Sequence, residues 1–131
     1  MGILFELSKS DKAAIFLYSV NEQYNILDEI KGKYPRDHRK LNRYIEYFGI
    51  SGEIKDEEKF KHLQNNLYEF NTDNLRIFCL LMPGVKPKTI ILNHYYKKQT
   101  KKTPSKEINK AQKIADEIIE KHKTGELQFG D

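Results

Sequence analysis

The sequence predicts an α+β fold: a small, mostly antiparallel sheet with a central three-strand meander, two N-terminal helices packed on one face, and one C-terminal helix. Three observations predict it. Residues 67–70, 75–82 and 89–96 are apolar, β-branched or aromatic runs joined by short turns, and strands joined that closely pair antiparallel. Between residues 21 and 49, apolar residues recur at helical spacing in two stretches separated by Tyr34-Pro35, where the residue before proline is pushed out of the α region. After Lys102, Thr103-Pro104 opens a third such stretch, proline being favoured at a first helical position.

In chain order, residues 3–7 and 14–20 read as two strands of a hairpin across the polar turn Ser8-Lys9-Ser10-Asp11. Ala13-Ala14 keeps a helical reading of the second run open. Asn21 is the expected cap of the first helix, with Tyr24, Leu27 and Ile30 on one face and Gly32 as its end. The second helix starts near Arg36, aligns Leu41, Tyr44, Ile45 and Phe48, and stops at Gly49. Helices this close pack as an antiparallel pair. Residues 51–66 are polar and acidic, anchored by Phe60 and Leu63, and read as a loop holding at most one helical turn. The middle meander run, 75–82, is nearly all apolar and suits a central strand buried on both faces. Thr103 caps the last helix, Ile108, Ala111, Ala115, Ile118 and His122 line one face, and Gly125 ends it. Residues 1–131 form one domain, with 126–131 as a frayed tail.

Composition narrows the function. Charged residues are 32% and aromatics 11%, too aromatic for disorder and too charged for a membrane protein. No apolar run approaches the ~18 residues of a span. Met1-Gly2-Ile3-Leu4-Phe5-Glu6 lacks the basic region of a signal peptide. A single cysteine, Cys79, leaves neither an intramolecular disulfide nor a cysteine zinc cluster. The expectation is a cytoplasmic protein. Residues 85–123 carry eleven Lys against four acids, and 86–102 carry six Lys and no acid. That asymmetry points to a polyanionic partner, or else to a solvated lysine-rich surface. The seven Gly form no phosphate-binding loop, there is no nucleophile elbow, and the four His stand far apart. No metal site and no cofactor are expected.

The second half carries a recognisable order: Asn66-Leu67-Tyr68-Glu69-Phe70, then Leu75-Arg76-Ile77-Phe78, then Ile90 through Lys98, then Lys102-Thr103-Pro104, Glu107-Ile108 and Ala111. It resembles the RelE/ParE superfamily of bacterial toxins, closest to its HigB-like, phage-derived branch, over about Leu67 to Ala115. The branch's second arginine after "LyEL" falls on Asn71 here. Counting back from Pro104 without a gap aligns the branch's Phe with Tyr96, its His with His94 and its lysine pair with Lys98-Gln99. A one-residue insertion makes these Tyr95 and Lys97-Lys98 instead.

The resemblance implies a RelE-like fold and the toxin of a type II toxin–antitoxin pair. It would be a metal-independent mRNA endoribonuclease on the ribosome, with a helix-turn-helix antitoxin as partner. The residue types fit that chemistry. Attack of a 2′-hydroxyl on its own phosphate needs a base, cations for the phosphorane and an acid for the leaving 5′-oxygen. Arg76, His94, Tyr96 and Lys98 are the candidate catalytic residues. Lys97, Lys101, Lys102 and Tyr95 are the candidate RNA-binding residues. Each has a plainer reading. Arg76 can pair with Glu69 across the hairpin, His94 can be structural, one of Tyr95 and Tyr96 must face the core, and the lysines can simply solubilise a strand end. Two other functions stay open: a ParE-like, non-catalytic inhibitor of a topoisomerase, and a degenerate RNA-binding module. The antitoxin is expected over residues 21–48, or a second copy of the chain over Tyr44 and Tyr47.

Overall fold

The computed structural model describes residues 2–130; Met1 and Asp131, the outermost residues of the expected domain and tail, lie outside them. The described residues form one seven-stranded sheet in the order β3-β4-β5-β6-β2-β1-β7, with three helices. Strands β1 (Ile3–Lys9) and β2 (Ala13–Ser19) form the expected antiparallel hairpin, so the helical alternative for the second run is not taken. The physical reason is burial: β2 is covered on both faces, which a strand satisfies through its ladder on both edges. Its second partner is β6, in parallel, from Ala13 opposite Lys88 to Leu17 opposite Leu92.

Helices α1 (Ile26–Lys33) and α2 (Pro35–Ser51) follow as the predicted pair. The second starts at Pro35, beside the expected Arg36, but the other boundaries differ from expectation. Asn21 does not cap α1; its Oδ1 accepts the N–H groups of Gln23 and Tyr24 and closes a turn of its own. Asn25 is the cap, accepting from Asp28 N at 2.8 Å, and the helix runs one residue past Gly32. Gly49 does not stop α2 either. Gly52 does, with φ 79°, the left-handed conformation that favours glycine. Gly49 is small because α2 lies against β1: a Cβ there would stand 2.4 Å from Ser8 Oγ.

The segment expected to be a loop holds β3 (Phe60–Gln64), antiparallel to β4 (Leu67–Asn71) at the sheet edge. An edge strand buries few side chains, so a polar sequence conceals it. The predicted meander β4, β5 (Leu75–Leu81) and β6 (Lys88–Lys97) is present in the predicted order. Helix α3 (Ser105–Thr124) starts behind Pro104, which occupies the cap position, and ends at Gly125. Thr103 is no cap; its hydroxyl donates to Glu69 Oε1 at 2.6 Å. In the segment read as a tail, Gln128–Phe129 form β7, parallel to β1.

The sheet separates two cores. On one face α1 and α2 pack Ile30, Leu41, Ile45 and Phe48 onto Ile15, Leu17, Ile77, Cys79 and Leu92. On the other, α3 packs Ala111, Ala115 and Ile118 onto Leu67, Phe78, Leu80 and Ile91. Small alanines let α3 lie close to the sheet, and it crosses β4, β5 and β6. No helix among the described residues is long and apolar enough to cross a membrane.

Candidate active site

The candidate residues meet where β4, β5 and β6 end on the α3 side of the sheet. Directly paired residues of an antiparallel ladder share a face. Asn71 stands opposite Arg76, Arg76 opposite Tyr96, Glu69 opposite Phe78, and Phe78 opposite His94. A bulge between Phe78 and Cys79 resets the register just before His94. Strand alternation therefore brings Arg76, His94 and Tyr96 together and turns Tyr95 away.

Arg76 is 5% exposed, and its guanidinium is surrounded by acceptors. One terminal nitrogen donates to the Tyr96 hydroxyl; the other donates to the carbonyls of Lys101 and, at 3.2 Å, of Thr100. Nε lies 3.5 Å from Glu69 Oε2, an ion pair rather than a hydrogen bond. The salt bridge with Glu69 is thus present, and it comes with contacts that bind the 98–102 loop to the sheet. Glu69 is buried as well, so the two charges compensate each other in a place where either alone is costly.

His94 stacks flat on Phe78 at 5.5 Å between centroids, and Tyr96 stacks on the same ring at 5.9 Å. His94 Nε2 is 3.4 Å from Glu107 Oε2, in the first turn of α3. Burial lowers the His94 pKa below its usual value, against the upward pull of Glu107, and so favours the neutral ring. Lys98 is half-buried and donates from Nζ to Thr72 O at 2.6 Å. Burial, then the neighbouring charge of Arg76, lowers its pKa. Thr72 is itself held by Asp37 at the start of α2. Burial would raise the Asp37 pKa, but hydrogen bonds from Thr72 and Asn74 outweigh it and keep the carboxyl ionised.

Arg76, Lys98, Gln99, Thr100 and Lys101 line a shallow depression of about 540 Å³. Lys101 and the adjoining Lys102 are exposed; Lys97 is exposed as well, but alternation turns it to the Tyr95 face of β6. Tyr95 does not belong to this group: its hydroxyl donates to Glu29 of α1 on the opposite face, and burial, then Glu29, raises its pKa. Two neighbours of the site had no role in the sequence reading. Glu107 stood in the quoted motif, one turn into α3 beside a histidine that no spacing rule connects to it. The carbonyls of Thr100 and Lys101 are backbone and leave no mark in sequence. Among the described residues no three His, Cys, Asp or Glu side chains converge to hold a metal.

The profile of the family described as "Phage derived protein Gp49-like (DUF891)" matches residues 28–116, more than half of the chain. The match runs from α1 through the meander into α3 and contains the whole cluster just described. No curated protein matches the chain.

Proposed function

Because the chain belongs to the phage-derived Gp49-like family, we propose that it is the toxin of a type II toxin–antitoxin pair and cleaves mRNA on the ribosome. The observation that carries this reading is the arrangement of Arg76, Tyr96 and His94 on one face of the sheet, with Arg76 and Lys98 lining a cationic depression. The phosphate lies over Lys98 and Lys101, where the lysines offset its charge. Arg76 donates to the Tyr96 oxygen, so the phenol keeps its own proton for the leaving 5′-oxygen. Neutral His94, oriented by Glu107, takes the 2′-hydroxyl proton. Lys98, Arg76 and the exposed lysines stabilise the phosphorane that forms. No step calls on a metal or cofactor. A cognate antitoxin is the protein partner this reading requires.

Incubating the purified protein with translating ribosomes and mapping mRNA 5′ ends tests it. Cleavage that Tyr96→Phe and His94→Gln abolish is the expected result; intact mRNA overturns it. One observation favours a second reading. Arg76 spends its donors on Tyr96 and two carbonyls, as a structural arginine does. Growth inhibition without RNA cleavage, with a topoisomerase as target, would follow from that.

A further inference from the structure

At the opposite end of the sheet, also on the α3 side, lies a second depression of about 180 Å³. Helix α3 leaves this part of the sheet uncovered. Phe16, Met82, Val85 and Leu127 give it an apolar floor, and each also packs on the core beneath α3. Around the floor stand Lys9, Lys86 and His122, and no carboxylate is among the lining residues. Among the described residues, none of these three side chains has a hydrogen-bond or ion-pair partner. The lysines nearby are engaged elsewhere: Lys88 donates to Gly52 O and Lys121 to the Tyr18 hydroxyl. Glu6, opposite Phe16 across the β1–β2 ladder, is a carboxylate on the same face but does not line the depression.

We propose that this depression is a docking site for an acidic peptide segment of a partner protein, one apolar side chain filling the floor and flanking carboxylates meeting Lys9, Lys86 and His122. Charge complementarity selects the occupant. A cationic rim with no carboxylate in the lining repels basic segments and leaves three groups without partners for an acidic one. An apolar floor of this size fits a single anchor side chain surrounded by a polar rim, the arrangement that concentrates binding energy in protein interfaces. Nucleic acid fits less well. The lining offers one half-buried ring, Phe16, in an otherwise largely aliphatic floor, rather than a row of exposed aromatic platforms for stacking successive bases. A lipid surface fits less well too, since two lysines around a hollow fall short of the four to eight Lys/Arg that mark such patches. The site is separate from the candidate active site and does not depend on the protein cleaving RNA.

Selection of a phage-displayed random 12-residue library on the purified full chain tests the proposal. The expected winners carry two or more Asp or Glu around one large aliphatic or aromatic residue. Their affinity should fall at least tenfold in Lys9→Glu/Lys86→Glu, whose exposed positions leave the fold intact. It should rise in Glu6→Lys. It should also fall in Val85→Ser, which spoils the apolar floor without changing the charge of the lining. The proposal is overturned if no peptide is selected, if the winners are neutral or basic, or if they bind the Lys9→Glu/Lys86→Glu variant as tightly as the parent.

Discussion

The guanidinium of Arg76 on β5 donates to the phenol oxygen of Tyr96, its direct partner on β6. One contact links the only charged residue of an otherwise apolar strand to the strand that carries His94 and the lysines. It also decides what each group can do. Arg76 is oriented and desolvated, and Tyr96 keeps one proton to give.

Replacing Arg76 should cost both stability and activity. Arg76→Ala leaves Glu69 buried without its counter-charge, a loss of about 3–5 kcal/mol. Arg76→Lys retains the charge but not the planar fork that reaches Tyr96 and two carbonyls together. It should fold and still lose most RNA cleavage. Thermal unfolding and the ribosome assay, run side by side, separate the effects. An Arg76→Lys protein as active as the parent would remove Arg76 from the mechanism.

The lysines should make binding strongly salt-dependent. Lys97, Lys101 and Lys102 are exposed at the end of β6 and in the loop that follows, and Lys98 and Lys101 line the depression. Affinity for RNA or ribosomes should drop steeply as salt rises. Replacing two of the exposed lysines by Gln should flatten the log–log slope by about one to two units. An affinity that ignores salt would favour an apolar protein target.

His94 supplies a pH prediction. Its folded pKa lies below the usual 6.5 because burial disfavours the charged ring. The unfolded chain therefore binds the proton more readily as pH falls below 6.5. The stability that neutral His94 contributes is present above that pH and is lost as pH falls through the folded pKa. Cleavage should follow the same neutral fraction, rising from acid pH to a plateau near neutrality. Urea unfolding at pH 7.5 and 5 should show a smaller difference for His94→Gln than for the parent. Equal differences would assign the titration to another group.

The antitoxin should cover the α1–α2 side. Tyr24, Tyr47 and Ile50 are 46%, 60% and 75% exposed on or beside these helices, an unusual apolar display for a surface. Tyr44, expected to be exposed for self-association, is buried against Phe70 instead, so only Tyr47 remains for a homodimer. Hydrogen exchange on the complex should show protection in residues 21–48. Protection confined to 94–102 would contradict this placement.

Periodicity and turn chemistry, which are local, determined much of this protein. The β1–β2 hairpin, both N-terminal helices, the β4–β5–β6 meander and α3 can each be read from a dozen or so neighbouring residues. The lone Arg76 in an apolar strand and the lysine-rich end of β6 are also visible there. The tertiary structure decided what depends on contacts between distant segments. The parallel pairing of β2 with β6 joins segments separated by both helices. Gly49 is small because Ser8 lies against it, and the polar β3 is a strand because β4 offers it an edge. Thr103 serves Glu69 rather than the helix it precedes. Alternation along β6 sent Tyr95 and Tyr96 to opposite faces, one expected toward the core; the layers on both faces gave each a core to pack on, with Tyr96 meeting Arg76 and Tyr95 meeting Glu29. Local preferences act through the backbone of adjacent residues, whereas a side chain's partner is settled only when the layers close over it.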